Sequence, residues 1–480
     1  MYMMDDSLVV IVKREQSEQK EFLAVLSSKK EKSEEMFLSS ISQRFTSIRL
    51  DTDICNKLSI PTAEPVTLTF GRNNIPVRVM PIQETDELVL PLHVSEQLCL
   101  PDWDCNLAVS YDEDSKTLMI GPVIGLVTEL RETHNNVNFG NIHDFCNELD
   151  SYCKRHGYYF FVCQLSMYHK DAIEGYVKHD DAWVKTTVPH PDVIHNRIHS
   201  RKREQSPIYQ AFLSCLQEQH IPIFNDRFLH KWEVHDILQK HEYLHPYLPE
   251  TYLLNDKQTL ENMLQRHQCL FLKPVHGSQG QRIYRVMLDD EKIYMHESAM
   301  PQVGESQSFD TVNSLFYTLK ARISKTAYIV QACVPLLEVD DRPLDFRLLC
   351  HKDSYNQWRV SSYVARVSAK GTFVSNLAQG GDRHKILEVL QPHFDKNTSL
   401  HVKKLMTELA IEVASIIAIE AGGHFAELGV DIALDPSGKP WLLEINTKPS
   451  KHEESSKNNF IRPSAKAVID HCIYLAKPTK

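Results

Sequence analysis

The sequence predicts a multidomain α/β protein with a β-rich N-terminal domain over residues 1–118, a small α/β domain over 119–225 and a larger C-terminal domain over 226–480. Its 480 residues exceed one ordinary domain, since domains commonly hold about 100–200 residues. The residue pattern also changes twice: short β-branched runs come first, and alternating strand-like and helix-like segments follow. Hairpins, an amphipathic helix in RFLHKWEVHDILQK and a long helix in LHVKKLMTELAIEVASIIAIEAG come last.

Composition narrows the class of protein. Hydrophobic residues at 42% and charged residues at 24% are typical of globular chains. The net charge of −10 argues against a nucleic-acid partner and against an anionic membrane surface. The sequence has neither a basic-then-apolar leader nor an apolar run of about 20 residues, so we expect a cytoplasmic protein with no membrane partner. The 11 cysteines form no CxxC pair, which predicts reduced thiols.

Two hairpins are predicted in the first domain. The segment VTLTFGRNNIPVRVMPI places β-branched runs on both sides of a turn at Gly71–Asn74, and DCNLAVSYDEDSKTLMIGP does so around Asp112–Ser115. Residues 27–45 are expected to be helical or loosely ordered. No catalytic pattern occurs here, and the domain is interpreted as serving packing or contacts.

The middle domain alternates strands and helices. Strand-like segments are MIGPVIGLVTEL, FFVCQLS and DVIHNRI, and helix-like segments are NIHDFCNELDSYCKRHGYYF and PIYQAFLSCLQEQH. In the first helix, Phe145, Leu149 and Cys153 share one face, and Gly157 lies near its end. This alternation predicts an open parallel sheet, which binds ligands at the carboxyl ends of its strands.

A polar set on an apolar hairpin is the strongest chemical signal. In GVDIALDPSGKPWLLEINTKPS two apolar strands flank a turn, and the strands carry Asp431, Glu444 and Asn446. Glu444 and Asn446 are two residues apart, so they project to one side of the strand, where Asp431 can join them. Side-chain oxygens of this kind are the ligands that Mg²⁺ prefers. The pattern therefore predicts a metal site, with a surface hairpin of incidental acids as the alternative.

A second hairpin, FLKPVHGSQGQRIYRV, carries a candidate phosphate site. Lys273 ends an apolar strand, and a glycine-rich turn over Gly277–Gly280 leads into the next strand. Glycines allow backbone N–H groups to approach phosphate oxygens, and a neighbouring lysine supplies positive charge. It is not a Walker A loop, because GKS or GKT is missing and the loop leads to a strand. An ordinary hairpin turn remains the alternative.

These two hairpins, in this order, resemble the ATP-grasp superfamily. DVIHNRI, FNDRFLHKWEVHDIL, YLPETYLL, LFLKPVHGSQGQ, PLDFRLLCHK, ARVSAKGTFVSNLAQGG and LLEINTKPS more closely resemble the YheC/YheD family of endospore coat-associated proteins. The resemblance covers roughly residues 226–475. It implies a C-terminal ATP-grasp domain, a Rossmann-like pre-ATP-grasp domain before it, and the binding of ATP with Mg²⁺, for which Mn²⁺ can substitute.

The resemblance also assigns roles to individual residues. The nucleotide-binding set comprises two lysines, the phosphate loop, the adenine-facing hinge and a ribose-side acid: Lys231, Lys273, Gly277, Ser278, Gly280, Gln331, Ala332, Val334 and Asp345. The groups around the transferred phosphate are Arg347, Arg366 and Asn376, and the metal ligands are Asp431, Glu444 and Asn446.

Two functions follow from the resemblance and stay open. One is an ATP-dependent ligase that joins a carboxylate to an amine or a thiol through an acylphosphate. The other is a non-catalytic or weakly active nucleotide-binding protein that serves assembly of the spore coat. The first needs carboxylate and amine substrates that the sequence does not identify. The second implies other coat proteins as partners and incorporation into the coat.

Three further patterns are weighed against a metal or ligand role. HEYLH at 241–245 matches a zinc-peptidase motif, but Pro246 disfavours the helix that would bring both histidines to one face. His195 and His199 are four apart in a strand-to-loop segment, where a polar loop is the better interpretation. The basic run SRKREQS at 200–206 predicts a solvated loop, with contact to an anionic substrate as the alternative.

Overall fold

The computed structural model describes residues 7–15, 46–83, 85–133, 136–277, 281–290, 292–298, 306–323, 326–370, 381–451 and 461–477. Contacts divide the chain into two compact units, of which the first combines Met1–Phe224 with Ser450–Lys480 and the second is Asn225–Pro449. Both units mix helices with sheets, so the predicted α/β class is confirmed.

A closed barrel begins the first unit. Its strands are β1 Leu8–Arg14, β2 Thr46–Asp51, β3 Val66–Phe70, β4 Asn73–Ile82, β5 Glu87–Leu90, β6 Cys105–Asp112 and β7 Thr117–Ile120, in the order β1-β5-β2-β4-β3-β7-β6. Both predicted hairpins form, as β3–β4 and β6–β7. Gly71 in the first turn has a φ of +60°, and a Cβ there would lie 2.1 Å from the carbonyl oxygen of His190, so only glycine fits. Residues 27–45 lie outside the described residues.

An open sheet completes the strands of this unit. These strands are β8 Val123–Val127, β9 Arg131–Thr133, β10 Asn136–Asn138, β11 Tyr159–Cys163, β12 Ile173–His179, β13 Ala182–Val188, β14 Val193–Asn196 and β15 Ile223–Phe224. The six-stranded order is β13-β12-β11-β8-β14-β15, with β9 and β10 forming a separate pair. Strands β11, β8, β14 and β15 run parallel, as predicted. The edge hairpin β12–β13 is antiparallel, which the sequence analysis did not anticipate.

The α-helices of the first unit include one from the C-terminal end of the chain. They are Thr52–Lys57, Leu92–Gln97, His143–Arg155, Arg201–Glu204, Pro207–Glu218 and Pro463–Ala476. Arg462, which caps the last helix, donates to Glu148 at 2.8 Å, and the Tyr152 hydroxyl donates to Asp470 at 3.3 Å. Residues 461–477 thus pack with the first unit, whereas the predicted C-terminal domain over 226–480 includes them.

One six-stranded antiparallel sheet begins the second unit. Its strands are β16 Thr251–Leu253, β17 Cys269–Pro274, β18 Tyr284–Asp289, β19 Lys292–Glu297, β20 Gln307–Phe309 and β21 Tyr328–Ala332, in the order β16-β21-β17-β18-β19-β20. Helices Lys257–His267 and Val312–Ile323 cover an apolar core on this sheet. Cys269 and Cys333, whose Cα atoms are 5.4 Å apart, are joined as a disulfide, contrary to the expectation of reduced thiols throughout. The other nine cysteines are free thiols.

A second sheet holds most of the polar groups that matter below. Its strands are β22 Glu338–Val339, β23 Arg342–Lys352, β24 Trp358–Val367, β25 Asp382–His384, β26 Glu427–Leu434 and β27 Pro440–Asn446, in the order β25-β24-β23-β26-β27, with β22 paired to β23. Alternate apolar residues of the central strands pack against the 25-residue helix Lys396–Glu420. The other face carries charged side chains, as period-two alternation requires. Lys231–Leu238 and Ile386–Leu390 are further α-helices among the described residues of this unit.

Candidate nucleotide and metal site

The β26–β27 hairpin brings the three proposed metal ligands together. Asp431 pairs with Glu444 in the register, and Gly429 pairs with Asn446. Asp431 is buried, and the Asn446 amide nitrogen lies 3.4 Å from its Oδ2. A β-bulge follows Asp431, because Ile432 pairs with Leu442 rather than Leu443. Bulges re-aim side chains, and this one lies directly beside the acidic pair.

Two arginines from neighbouring strands hold the acids. Arg347 on β23 lies opposite Asp431 in the register and donates to both carboxylate oxygens, with Nη2 2.8 Å from Oδ2. Arg366 on β24 donates to both oxygens of Asp345, at 2.5 and 2.8 Å, and its Nη2 lies 3.1 Å from Asp431 Oδ1. Two-pronged bonds of this kind are the strongest that carboxylates accept. The cluster is therefore geometrically fixed.

Two lysines approach from other elements. Lys231 is the first residue of its helix, and its Nζ lies 2.5 Å from Glu444 Oε1 and 3.3 Å from the carbonyl oxygen of Gly277. Lys273 on β17 donates to Gln331 Oε1 at 2.6 Å, and the Gln331 amide donates to Thr251 at 2.9 Å. The glutamine is thereby oriented from both ends of its amide.

Burial and neighbouring charges shift the pKa values in opposite directions. Burial of its ammonium group, with repulsion from nearby Lys231, lowers the pKa of Lys273 to about 8. Burial raises the pKa of Asp345 to about 6, although Arg366 opposes this effect. Burial also acts to raise the pKa of Asp431, but Arg347 and Arg366 outweigh it and hold this pKa below its ordinary value. Asp431 is thus an anion at neutral pH, as a metal ligand must be.

Several predicted residues have other surroundings than the sequence analysis assumed. Asp345, assigned to the ribose, is paired with Arg366 inside the charged cluster. The N–H of Ala332, assigned to adenine, donates to the carbonyl oxygen of Glu250 at 2.9 Å. Val334 is half-buried just beyond the Cys333 disulfide. Ser278, Gly280 and Asn376 lie outside the described residues.

The histidines considered as alternative metal ligands make contacts with other residues instead. His241 pairs with Glu420 at 2.7 Å, and His245 bonds to the carbonyl oxygen of Gln239 at 2.7 Å within the 3₁₀-helix Glu242–Tyr247. His195 is buried and stacks on Phe224. Across the part of the chain that the structure describes, no group of three or more His, Cys, Asp or Glu side chains is placed to hold a metal ion.

Asn225 supports the site and was missed by the sequence analysis. It is fully buried, its amide nitrogen donates to the carbonyl oxygens of Glu427 and Thr447, and its amide oxygen accepts the N–H groups of Ala426 and Glu427. One side chain therefore ties the start of β26 to the segment after β27. The signal available was its position in FNDRF, a string used only for the resemblance.

Two curated relatives of the chain are proteins of Bacillus subtilis. The chain is 26% identical over 345 residues to "Endospore coat-associated protein YheD" of Bacillus subtilis, covering 71% of this chain and 76% of that protein. It is 26% identical over 278 residues to "Endospore coat-associated protein YheC" of the same organism, covering 56% of this chain and 73% of that protein.

Among the described residues, no helix is both long and apolar enough to cross a membrane.

Solved structures that align with this chain include a synthetase and a ligase. D-alanyl-alanine synthetase A from Vibrio cholerae aligns with a TM-score of 0.41 at 13% identity, covering 74% of this chain and 98% of that one. The VanG D-Ala:D-Ser ligase from Enterococcus faecalis aligns with a TM-score of 0.43 at 12% identity, covering 74% and 100%.

The family model that matches is described as YheC/D like ATP-grasp, and it matches residues 220–475. An ATP-grasp fold implies that the chain binds ATP together with a divalent metal ion. The match includes both hairpins, the two lysines and the whole charged cluster, and it exceeds half of the chain. The protein therefore belongs to the YheC/D-like ATP-grasp family.

Proposed function

We propose that the protein is a Mg²⁺-dependent ATP-grasp ligase that activates a carboxylate as an acylphosphate and passes the acyl group to an amine or a thiol. The observation that carries the proposal is the cluster in which four cationic side chains face three carboxylates. The cations are Lys231, Lys273, Arg347 and Arg366, and the carboxylates are Asp345, Asp431 and Glu444.

The contacts of the two lysines in this cluster can be replaced by contacts with the phosphates of a nucleotide. Lys231 is held by Glu444 through one contact of 2.5 Å. A triphosphate gives Lys231 a new anionic partner, and the Glu444 carboxylate is then released for a cation. Among the described hydrogen bonds, Lys273 donates only to the neutral amide of Gln331. A phosphate oxygen in its place would stabilise the charged form of the lysine.

The donor set fits a hard divalent cation. Asp431, Glu444 and Asn446 supply carboxylate and amide oxygens from adjacent positions of one hairpin, which is the chemistry that Mg²⁺ takes. When bound, the metal neutralises charge on the phosphates during transfer. Arg347 and Arg366 keep the Asp431 carboxylate ionised and fixed in orientation.

In the first step a carboxylate oxygen of the substrate attacks the γ-phosphorus, the bond to the bridging β–γ oxygen breaks, and ADP leaves. Phosphoryl transfer depends mainly on positioning and on neutralising charge, which the lysines and arginines supply. In the second step the neutral amine or the thiolate attacks the acyl carbon and inorganic phosphate leaves. The attacking amine loses a proton as the amide forms.

A second candidate function rests on the names of the relatives. Both curated relatives are called endospore coat-associated proteins. A nucleotide-binding protein of the spore coat with little or no turnover would retain the same cluster. The two functions differ in one respect: only the ligase consumes ATP in a manner that depends on a second substrate.

The first test is thermal unfolding of the full chain with a non-hydrolysable ATP analogue, with and without Mg²⁺. Analogue at 100 times its dissociation constant should add about 2.7 kcal/mol to the stability of the unit that binds it. No shift at millimolar analogue, with the chain folded, would contradict nucleotide binding. ADP release is then measured with panels of carboxylates and amines. Release that rises only when both are present supports the ligase, and a uniformly negative panel favours the coat protein.

A further inference from the structure

Three polar side chains on three adjacent strands form a hydrogen-bonded chain apart from the nucleotide groups. The Ser361 hydroxyl on β24 lies 2.7 Å from His351 Nδ1 on β23, and His351 Nε2 lies 2.9 Å from Glu427 Oε1 on β26. The order is therefore hydroxyl, imidazole, carboxylate. Nucleophilic hydroxyls in enzymes are activated by this order of groups, which is recognised by geometry rather than by position in the sequence.

Burial differs along the chain of groups. Glu427 and His351 are 0% and 2% exposed, whereas Ser361 is half-buried. Glu427 and His351 are thus shielded from water, and Ser361 is the most exposed of the three residues.

A β-bulge directs the serine. In the β23–β24 pairing, Leu349 lies opposite Ser362 and Cys350 lies opposite Val360, so Ser361 is the extra residue. Extra residues of this kind bend the strand and re-aim a side chain. The Ser361 hydroxyl also lies 3.2 Å from the carbonyl oxygen of Leu349, which is longer than its contact with the imidazole.

The backbone that carries the carboxylate is itself held in place. The N–H of Glu427 donates to the Asn225 side chain at 3.1 Å, and its carbonyl oxygen accepts from the same amide at 2.6 Å. His351 and Glu427 face each other in the register, as Arg347 and Asp431 do four residues along the same strands. Four residues correspond to about 13 Å along a strand and to the same face of the sheet. The three groups therefore form a separate site.

We propose that Ser361 is a nucleophile that accepts an acyl group from an activated carboxyl compound, either an ester or an acyl phosphate. Its Oγ bonds to the acyl carbon, the bond from that carbon to the leaving oxygen breaks, and the hydroxyl proton passes to His351 Nδ1. The proton then goes to the leaving group. Water attacks the acyl-serine by the reverse sequence and releases the free acid. Glu427 orients the ring and stabilises the imidazolium. This activity goes beyond the ligase and does not depend on it.

The test uses an alkyl fluorophosphonate on the folded full chain. Attack by Ser361 forms an Oγ–P bond and expels fluoride, and the proton is taken by His351. Peptide mass spectrometry should find the adduct on Ser361 and not on Ser362, a neighbouring serine within the same chain. Ser361→Ala should abolish the adduct and Ser362→Ala should leave it unchanged. His351→Gln should slow labelling by about 100-fold or more, the contribution of a general base.

Several results would overturn the proposal: absence of any adduct on the folded wild-type chain, equal labelling of both serines, or a folded His351→Gln variant that labels at the wild-type rate. If His351→Gln does not fold, the selectivity for Ser361 over Ser362 in the wild type decides. Labelling should be lost in urea, because it requires the folded arrangement. The ATP-analogue shift is measured on Ser361→Ala in parallel, so failure of this site and failure of nucleotide binding are distinguishable.

Discussion

ATP affinity should decline as the pH rises above about 8, because the pKa of Lys273 in the ligand-free protein is lowered to about 8. The folded pKa lies below the ordinary 10.5, so the ligand-free protein loses this proton as the pH rises through about 8. A phosphate partner favours the charged lysine and raises its pKa, so binding above pH 8 requires uptake of a proton. At pH 9.5 only a few per cent of the free protein carries it. Affinity should therefore be lower than at pH 7 by about 30-fold, or about 2 kcal/mol.

Calorimetric titration at pH 7.0, 8.0, 9.0 and 9.5, with ATP analogue and Mg²⁺, measures this effect. Adenosine is the control ligand, because it has no phosphate and its affinity should not change with Lys273. Lys273→Arg is the matched variant: arginine stays charged throughout this range, so its pH dependence should be nearly flat. Equal ATP affinity at pH 7.0 and 9.5 in the wild type, or a parallel decline for adenosine, would refute the reasoning.

Three substitutions test the surrounding contacts. Glu444→Gln removes one negative charge from the proposed metal ligands and should weaken Mg²⁺-dependent analogue binding by at least about tenfold. Glu408→Gln, at an exposed position, is the control. An unchanged Mg²⁺ requirement in Glu444→Gln would contradict the assignment. Asn225→Ala leaves buried backbone N–H and C=O groups without their hydrogen-bond partner. It should therefore lower the free energy of unfolding, measured by urea titration, by about 3 kcal/mol. A loss below about 1 kcal/mol would mean that water replaces the side-chain amide. Gly429→Ala places a Cβ 2.9 Å from Pro449 and 3.3 Å from the Arg347 guanidinium, so it should cost about 1–3 kcal/mol of stability and weaken analogue binding. Wild-type behaviour of Gly429→Ala in both assays would show that Arg347 is free to move.

The parts of the fold that the sequence predicted are those with local signals. The β17–β18 and β26–β27 hairpins follow from apolar runs around short turns, and the helix Lys396–Glu420 corresponds to the long helix expected in the C-terminal domain. Barrel closure was not predictable, because β1 pairs with β5 and β6, which are distant in the chain and leave no periodic trace. The same holds for the packing of Pro463–Ala476 with the first unit.

The charged cluster, too, was predictable only where a local signal exists. Strand alternation was sufficient to expect Glu444 and Asn446 on one side of β27. The pairing of Asp345 with Arg366 depends on the β23–β24 register, which no local pattern specifies. The roles assigned to these residues stay predictions. The placement of Ser361 beside His351 was not predictable, because its direction depends on a β-bulge and the sequence of β24 gives no sign of one.

The bonds made by Asn225 bear on how the second unit is connected within the chain. This unit begins at Asn225 and ends at Pro449, and the Asn225 side chain reaches the carbonyl oxygen of Thr447. Its two ends are therefore neighbours, which is the arrangement that allows one domain to be inserted within another. Residues 225–449 constitute an insertion in a host unit whose own chain resumes at Ser450. A segment with adjoining ends is suited to transplantation into a loop of an unrelated carrier protein, and its joining points are fixed by one asparagine.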